Sequence, residues 1–249
     1  MTGEVLMTTE DGICTISFHH PKGNSLPKEL LAQLSNQIKI AGEEPTVKVI
    51  LLKSIGKTFC AGASFDELLA IQSEADANEF FSGFGKLIEA IKDCPKFVIA
   101  EVQGKAVGGG VGIIAASDYA IASESASIKL SELSIGFGPF VIAPAVIRKI
   151  GSSAFSTLTI NSKNWKTAEW ALQKGLFNDL AKDHEMLESK TKELVQSLAV
   201  YSLEAMKEIK EMLWDGYDNL NEIHGKRAKL SGSLSQSALT QKILSQFNK

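Results

Sequence analysis

Four glycines fall within five residues, at 108, 109, 110 and 112, in the stretch GKAVGGGVGIIAASDYAIAS (104–123). Backbone that bare lets another group come close, and three chemistries use it. The first is dinucleotide binding. Gly110-Val111-Gly112-Ile113-Ile114-Ala115 satisfies the GxGxxA spacing, and Glu132 lies twenty positions beyond Gly112, where an acid would hold ribose hydroxyls. Its context opposes that reading. Residues 103–109 separate the pattern from the preceding strand, the helix has room for about two turns, and Glu132 lies beyond the next strands rather than at the end of one. The second chemistry is close packing of a helix on a sheet, which Ala115, Ala116, Ala120 and Ala122 would suit. Each glycine in a helix nevertheless costs about 1 kcal/mol relative to alanine. The third uses the N–H groups themselves. At a helix entrance they are unpaired and lie at the positive end of the dipole, so one such donor joined by a second can hold a carbonyl oxygen as it becomes an enolate.

The third reading calls for a second small-residue segment. GKTFCAGASFDEL (56–68) supplies one, placing Cys60, Ala61, Gly62 and Ala63 where a strand turns into a helix. Cys60 reads as a small buried apolar residue, since no Cys–His pattern accompanies it to make a nucleophile. Glu132 lies in IKLSELSIGFGPF, an apolar neighbourhood able to raise a carboxyl pKa toward a working range for proton transfer. His19 and His20 precede Pro21 in a turn and read as surface or hydrogen-bonded groups rather than bases. Trp165, Trp170 and Trp214 are spaced as packing residues of helices, not as a stacking platform for nucleic acid.

These residues need elements to hold them. β-Branched content predicts a strand at 13–18, buried strands at 47–52 and 96–102, and short strands at 119–123 and 127–130. Helical spacing predicts helices at 27–41, where Leu30, Leu31, Leu34 and Ile38 recur, at 77–94, and briefly at 111–117. Strands alternating with helices imply crossover connections and a mainly parallel sheet. Beyond Pro139 the pattern is almost wholly helical, apart from an extended piece at 175–180. The expected division is an α/β core over 1–190 and a helical C-terminal region over 191–249.

Composition bounds the rest. The chain has 249 residues, 44% of them hydrophobic, and 26 basic against 29 acidic side chains leave a net charge of −3. That gives no electrostatic reason to expect nucleic acid or an anionic membrane as a partner. Cys14, Cys60 and Cys94 are scattered, without a CxxC pair or metal-like spacing, and read as reduced thiols; no metal is expected. The N-terminus lacks the basic and apolar segments of a signal peptide and no apolar run reaches membrane-spanning length, so a cytoplasmic protein is expected.

Taken together, the motifs resemble those of the crotonase superfamily, the enoyl-CoA hydratase/isomerase family. HHPKGNSL (19–26) resembles the family's N-R-P-x-x-x-N-A-L segment, and KTFCAGASFDEL (57–68) resembles K-x-F-x-A-G-A-D-L. The glycine run resembles G-x-A-x-G-G-G-x-E-L-x-x-x-C-D, and IKLSELSIGFGP (128–139) resembles F-x-x-P-E-x-x-x-G. The four follow in order across most of residues 10–160. The resemblance implies an α/β crotonase fold with a β-β-α spiral core and a helical trimer-forming tail, assembled as a homotrimer or hexamer. It implies an acyl-CoA thioester as substrate, with no separate cofactor because coenzyme A belongs to the substrate. The N–H groups of Ala63 and Gly109 would form the oxyanion hole. Lys22, Asn24, Leu26, Ala61 and Ala63 would line the coenzyme A site, with Ala61 near the adenine, and Lys226 or Arg227 could reach a phosphate.

The departures bear on the reaction. Hydrating relatives usually carry two glutamates, whereas here the first position is Gly112 and the second is Glu132. Two carboxylates serve hydration, because water must be deprotonated while a proton goes to carbon; one carboxylate suffices to move a double bond. The resemblance therefore implies isomerisation with Glu132 as shuttle base. The alternatives are hydration with a non-standard second acid/base, a non-catalytic acyl-CoA binding or scaffold protein, and a nicotinamide dehydrogenase. Ser64 and GFGPFVIAP also depart from the family pattern near the acyl pocket.

Overall fold

The computed structural model describes residues 3–247. β1 (Glu4–Glu10) and β2 (Ile13–His19) form an antiparallel hairpin. In β2 alternate residues point inward, burying Cys14, Ile16 and Phe18, while β1 is an exposed edge whose polar composition gave no strand signal. After α1 (Lys28–Glu43), which buries Leu30, Leu31, Leu34 and Ile38 as its periodicity requires, the chain repeats a strand–strand–helix unit. The first unit is β3 (Val49–Ser54), β4 (Thr58–Cys60), α2 (Phe65–Ala70) and α3 (Glu74–Asp93). The second is β5 (Phe97–Val102), β6 (Lys105–Val107) and α4 (Gly109–Ala116). The third is β7 (Tyr119–Ser123), β8 (Ser127–Lys129), a 3-10 turn at Glu132–Ile135 and α5 (Ala143–Ile160).

In each unit the first strand joins one sheet and the second strand joins another. Among the described residues the larger sheet runs β1-β2-β3-β5-β7-β10, closed at its far edge by β10 (Asp179–Ala181). The smaller runs β4-β6-β8-β9, closed by the antiparallel β9 (Lys166–Thr167). The sequence predicts one mainly parallel sheet; the structure divides the strands between two, because each long strand is followed at once by a short one paired elsewhere. β3 is buried on both faces through Val49–Leu52, which is why it reads as an unbroken apolar run.

α4 is the element that matters most for the site. All eight of its residues are buried, as expected of a helix apolar all round. It starts at Gly109, two residues before the predicted 111, and ends under cations. Arg148 donates to the Ala115 carbonyl (3.2 Å), and Lys149 donates to those of Ser117 and Asp118 (3.1 Å each). These bonds satisfy carbonyls at and just beyond the helix end and place positive charge at the negative pole of the dipole.

The helical tail comprises α6 (Ala168–Gln173), α7 (His184–Ala199), α8 (Leu203–Leu213), α9 (Leu220–Ser235) and α10 (Ala238–Leu244). α9 lies on α3, with His224 over Gly85 and Gly232 against Ala77, and His224 Nδ1 is 2.7 Å from Glu89 Oε1. α8 is pinned by a buried ion pair, Lys210 to Asp118 at 2.9 Å, with Lys210 also donating to the Lys96 carbonyl at 2.9 Å. Asp118 accepts the Val98 N–H as well (2.7 Å), so one carboxylate ties α8 to β5 and to the end of α4. Among the described residues no helix is long and apolar enough to cross a membrane.

Removing Lys210 would leave Asp118 buried without its ion-pair partner. Lys210→Ala should therefore lower the unfolding free energy by about 3–5 kcal/mol in urea denaturation. A loss below about 1 kcal/mol would mean that water replaces the ammonium.

Candidate active site

β4 and β6 run parallel, with Thr58 opposite Lys105 and Cys60 opposite Ala106. The turns that follow them therefore emerge side by side. Leu26 bridges to Ala63: its N–H donates to the Gly62 carbonyl (2.8 Å) and its carbonyl accepts from Ser64 (3.2 Å). Among the described residues the N–H groups of Ala63 and Gly109 find no hydrogen-bond acceptor. A Cβ built on Gly62 would lie 3.1 Å from the Val107 carbonyl oxygen and 4.0 Å from the Gly109 nitrogen, so the 61–63 turn sits directly on the entrance to α4.

The glycines at that entrance have separate reasons. Gly108 has φ 52° and ψ −116°, and a Cβ there would stand 2.6 Å from Glu132 Oε1. A Cβ on Gly109 would overlap the ring of Phe84. Gly110 meets Cys60 and Gly112 meets Ile142, so the GxGxxA spacing lies inside a covered helix with no room for a dinucleotide along it. Burial pushes the Cys60 thiol up to about 12, consistent with a packing role.

Glu132 begins the 3-10 turn after β8, which brings its carboxylate over Gly108. The residue keeps some exposure, but Oε2 is buried and has no hydrogen-bond partner. Desolvation raises its pKa from 4.5 to about 7, opposed in part by the backbone N–H groups of Glu132 and Ser131. A carboxyl with that value is half ionised near neutrality, the condition for both taking and returning a proton.

Ala61, Ala63, Gly109 and Glu132 all border one cavity of about 130 Å³. Its other walls are mainly apolar and include Phe80, Phe81 and Phe84 from α3, with Phe137 and Phe140 from the 136–142 loop. Among the described residues lining it, the polar side chains are Glu132, Ser131 and Ser231. The phenylalanines of α3 read in sequence as ordinary core, and nothing local marked Phe137, Phe140, Ile142 or Ser231 as neighbours of the site. They meet there only because α9 and the loop fold over α3.

Other expected site residues lie elsewhere. Lys22 is exposed and ion-paired with Asp66. Asn24 is buried at φ 57°, accepts the His20 N–H (2.8 Å), and donates to the carbonyls of Ile55 (2.9 Å) and Thr58 (2.7 Å). Its side chain shapes the turn beneath the site. Leu26 is wholly buried, so it holds Ala63 in place through its backbone instead of lining the cavity. Gly112 is outside the cavity lining too: a Cβ there would lie 2.5 Å from Ile142 Cγ2 and 2.7 Å from its Cβ, and Ile142 is the residue that reaches the wall. Ser64, one of the departures, caps α2 by accepting the Glu67 N–H (3.4 Å). Lys226 pairs with Glu222 (2.6 Å) and Arg227 donates to the Phe140 carbonyl (3.1 Å), so both cations have partners within the chain.

A family model described as enoyl-CoA hydratase/isomerase matches residues 8–247. The chain belongs to the enoyl-CoA hydratase/isomerase family, a family of enzymes of the lyase and isomerase classes. It is 32% identical over 167 residues to the bacillaene synthase dehydratase PksH of Bacillus subtilis (strain 168), a match spanning 64% of this chain and 63% of that protein. It is 30% identical over 238 residues to the carnitinyl-CoA dehydratase of Salmonella arizonae, covering 94% of this chain and 88% of the relative. The solved structure of an enoyl-CoA hydratase from Bacillus halodurans superposes with a TM-score of 0.88 at 22% identity, over 97% of this chain and 99% of that one. The fold is thus the crotonase fold, and the two-sheet spiral described above is its core.

Glu132 also carries a stability signature. Its pKa is raised on folding, so between pH 4.5 and about 7 the folded state holds more protons than the unfolded one. Stability falls across that window as pH rises. Glu132→Gln should raise the unfolding free energy by on the order of 3 kcal/mol above pH 7, with the gain fading toward pH 4.5. Thermal melts across pH test this; equal stability at about pH 8 would mean that the carboxylate is hydrated.

Proposed function

We propose that the protein isomerises an enoyl-CoA thioester, moving a double bond between C3 and C2. The observation that carries this reading is the lone carboxylate of the cavity, Glu132, poised near neutrality beside two free N–H donors. With Ile142 packed against Gly112, no second acid comes from that position.

In this reading the thioester oxygen sits between the N–H groups of Ala63 and Gly109. Glu132 removes a proton from C2 of a 3-enoyl-CoA. The electron pair delocalises through the carbonyl onto the oxygen, where two donors and the α4 dipole stabilise it; such donors are worth about 2.7–4 kcal/mol each. The protonated Glu132 then returns its proton to C4, and the double bond settles between C2 and C3. The Phe84 ring against Gly109 excludes water, which strengthens those hydrogen bonds. The CoA portion is assigned to the outer edge formed by Gly23, Ala61 and Lys22, where the Ala61 N–H bonds to the Gly23 carbonyl (3.1 Å). A phosphate there would compete with Asp66 for Lys22.

The dehydratase names of the two relatives favour a second reading, hydration of the 2-enoyl thioester. It would need water held by something other than a second carboxylate, and Ser131 and Ser231 are the remaining polar side chains on the wall. Product identity separates the two: 3-hydroxyacyl-CoA for hydration, 2-enoyl-CoA from 3-enoyl-CoA for isomerisation.

Glu132→Gln should reduce turnover by about 10²–10⁴-fold while acyl-CoA binding is nearly unchanged. In the wild type the rate should rise with pH and level off above about 7, as the base form of Glu132 fills. Retained activity in the variant would remove Glu132 from the mechanism. Gly108→Ala should cost about 10²-fold by displacing the carboxylate and should also lower the urea midpoint, because a side chain at φ 52° is strained.

We also propose a homotrimer or hexamer. Exposed apolar side chains concentrate on α8 and the turn before it, at Val200, Tyr201, Ile209, Met212 and Leu213. Light scattering should give a mass three or six times that of the chain; a stable monomer at micromolar concentration would refute it.

A further inference from the structure

We propose that Phe80 sets the length of the acyl chain, restricting the substrate to an apolar acyl group of about four to six carbons. The proposal rests on the acyl-CoA reading above and adds a substrate class to it. The cavity beside Glu132 measures about 130 Å³. For scale, an apolar cavity of about 150 Å³ holds a single benzene molecule. Among the described residues its walls offer no charged side chain except Glu132, so an acyl group bearing a carboxylate or ammonium would lose its hydration without a partner.

The aromatic wall closes the cavity instead of letting it run on. Phe81 packs edge-on against Phe80, ring centres 5.0 Å apart, and against Phe137 at 5.2 Å. Phe80 itself is 7% exposed and borders two spaces. On one side is the reaction cavity; on the other is an open surface groove of about 350 Å³, bordered also by Ile71, Lys28 and Glu79. Lys28 and Glu79 pair at 3.3 Å across this outer space, and Glu67 accepts the Lys28 N–H at 2.9 Å. One ring thus stands between a small apolar pocket and a larger, open surface groove with a charged border. Truncating it would join the two and give a longer chain somewhere to go.

The test is calorimetric binding of butyryl-, hexanoyl- and decanoyl-CoA, which are saturated and cannot isomerise, to the wild type, Phe80→Ala and Phe80→Leu. In the wild type each methylene from butyryl to hexanoyl should tighten binding about fourfold. Decanoyl-CoA should then bind at least about tenfold more weakly than hexanoyl-CoA, the cost of overfilling a packed site. Phe80→Ala should bind decanoyl-CoA at least as tightly as hexanoyl-CoA, with Phe80→Leu between, and should bind free CoA like the wild type. Should the alanine variant fail to fold by circular dichroism, the leucine variant carries the comparison. Undiminished decanoyl-CoA binding to the wild type, or the same chain-length profile in the variants, overturns the role of Phe80 while leaving the acyl-CoA reading standing. Failure of the wild type to bind any acyl-CoA overturns both.

Discussion

The site depends on one buried helix with unequal ends. α4 is surrounded by protein on every side, so its end groups cannot all fall back on water. At the C-terminal end the problem is solved internally: Arg148 and Lys149 cover the carbonyls, and burial lowers the Lys149 pKa to about 8. At the N-terminal end it is left open, with Gly109 facing a cavity. That asymmetry keeps the positive end of a dipole fixed at the cavity, where the proposed reaction would develop its negative charge. The three strand–strand–helix units serve largely to hold this helix against β4 and the 61–63 turn.

Glu132 is held under the opposite logic. A carboxylate with a buried, unpartnered oxygen opposes folding at neutral pH, and a largely apolar wall makes that cost larger. The surrounding core is extensive enough to bear it. The same desolvation that weakens the fold places the proton affinity near neutrality, where the proposed shuttle would work best. Gly108 is the point of contact between the two features, since its missing side chain leaves room for the carboxylate beside the helix entrance.

Much of this was legible one residue at a time. The periodicity of α1 and the apolar run of β3 follow directly from their residues. The glycine run suggested a backbone donor that needed a second one, and the AGA segment offered it; Glu132 stood out as a base only through the resemblance to the family. Less visible were β1, whose exposed face carries no apolar alternation, and the splitting of the strands into two sheets, which depends on pairings far apart in sequence. Asn24 and Leu26 looked like ligand contacts because they sit in the right segment. Their side chains are instead consumed by the turn and the core.

The sequence by itself determined the chemistry that is possible: one acid in an apolar setting, bare backbone at a helix entrance, and no second carboxylate at residue 112. Only the tertiary structure decided what surrounds that chemistry. Phe80 and Phe84 come from α3 and Phe137 and Ile142 from the 136–142 loop, and none has a side chain that announces a site. Their contribution is shape and dryness, properties of packed surfaces that arise when α3, the 136–142 loop and α9 close over one another. The raised pKa of Glu132 belongs to that same enclosure, because desolvation is a property of the folded surroundings and not of the residue.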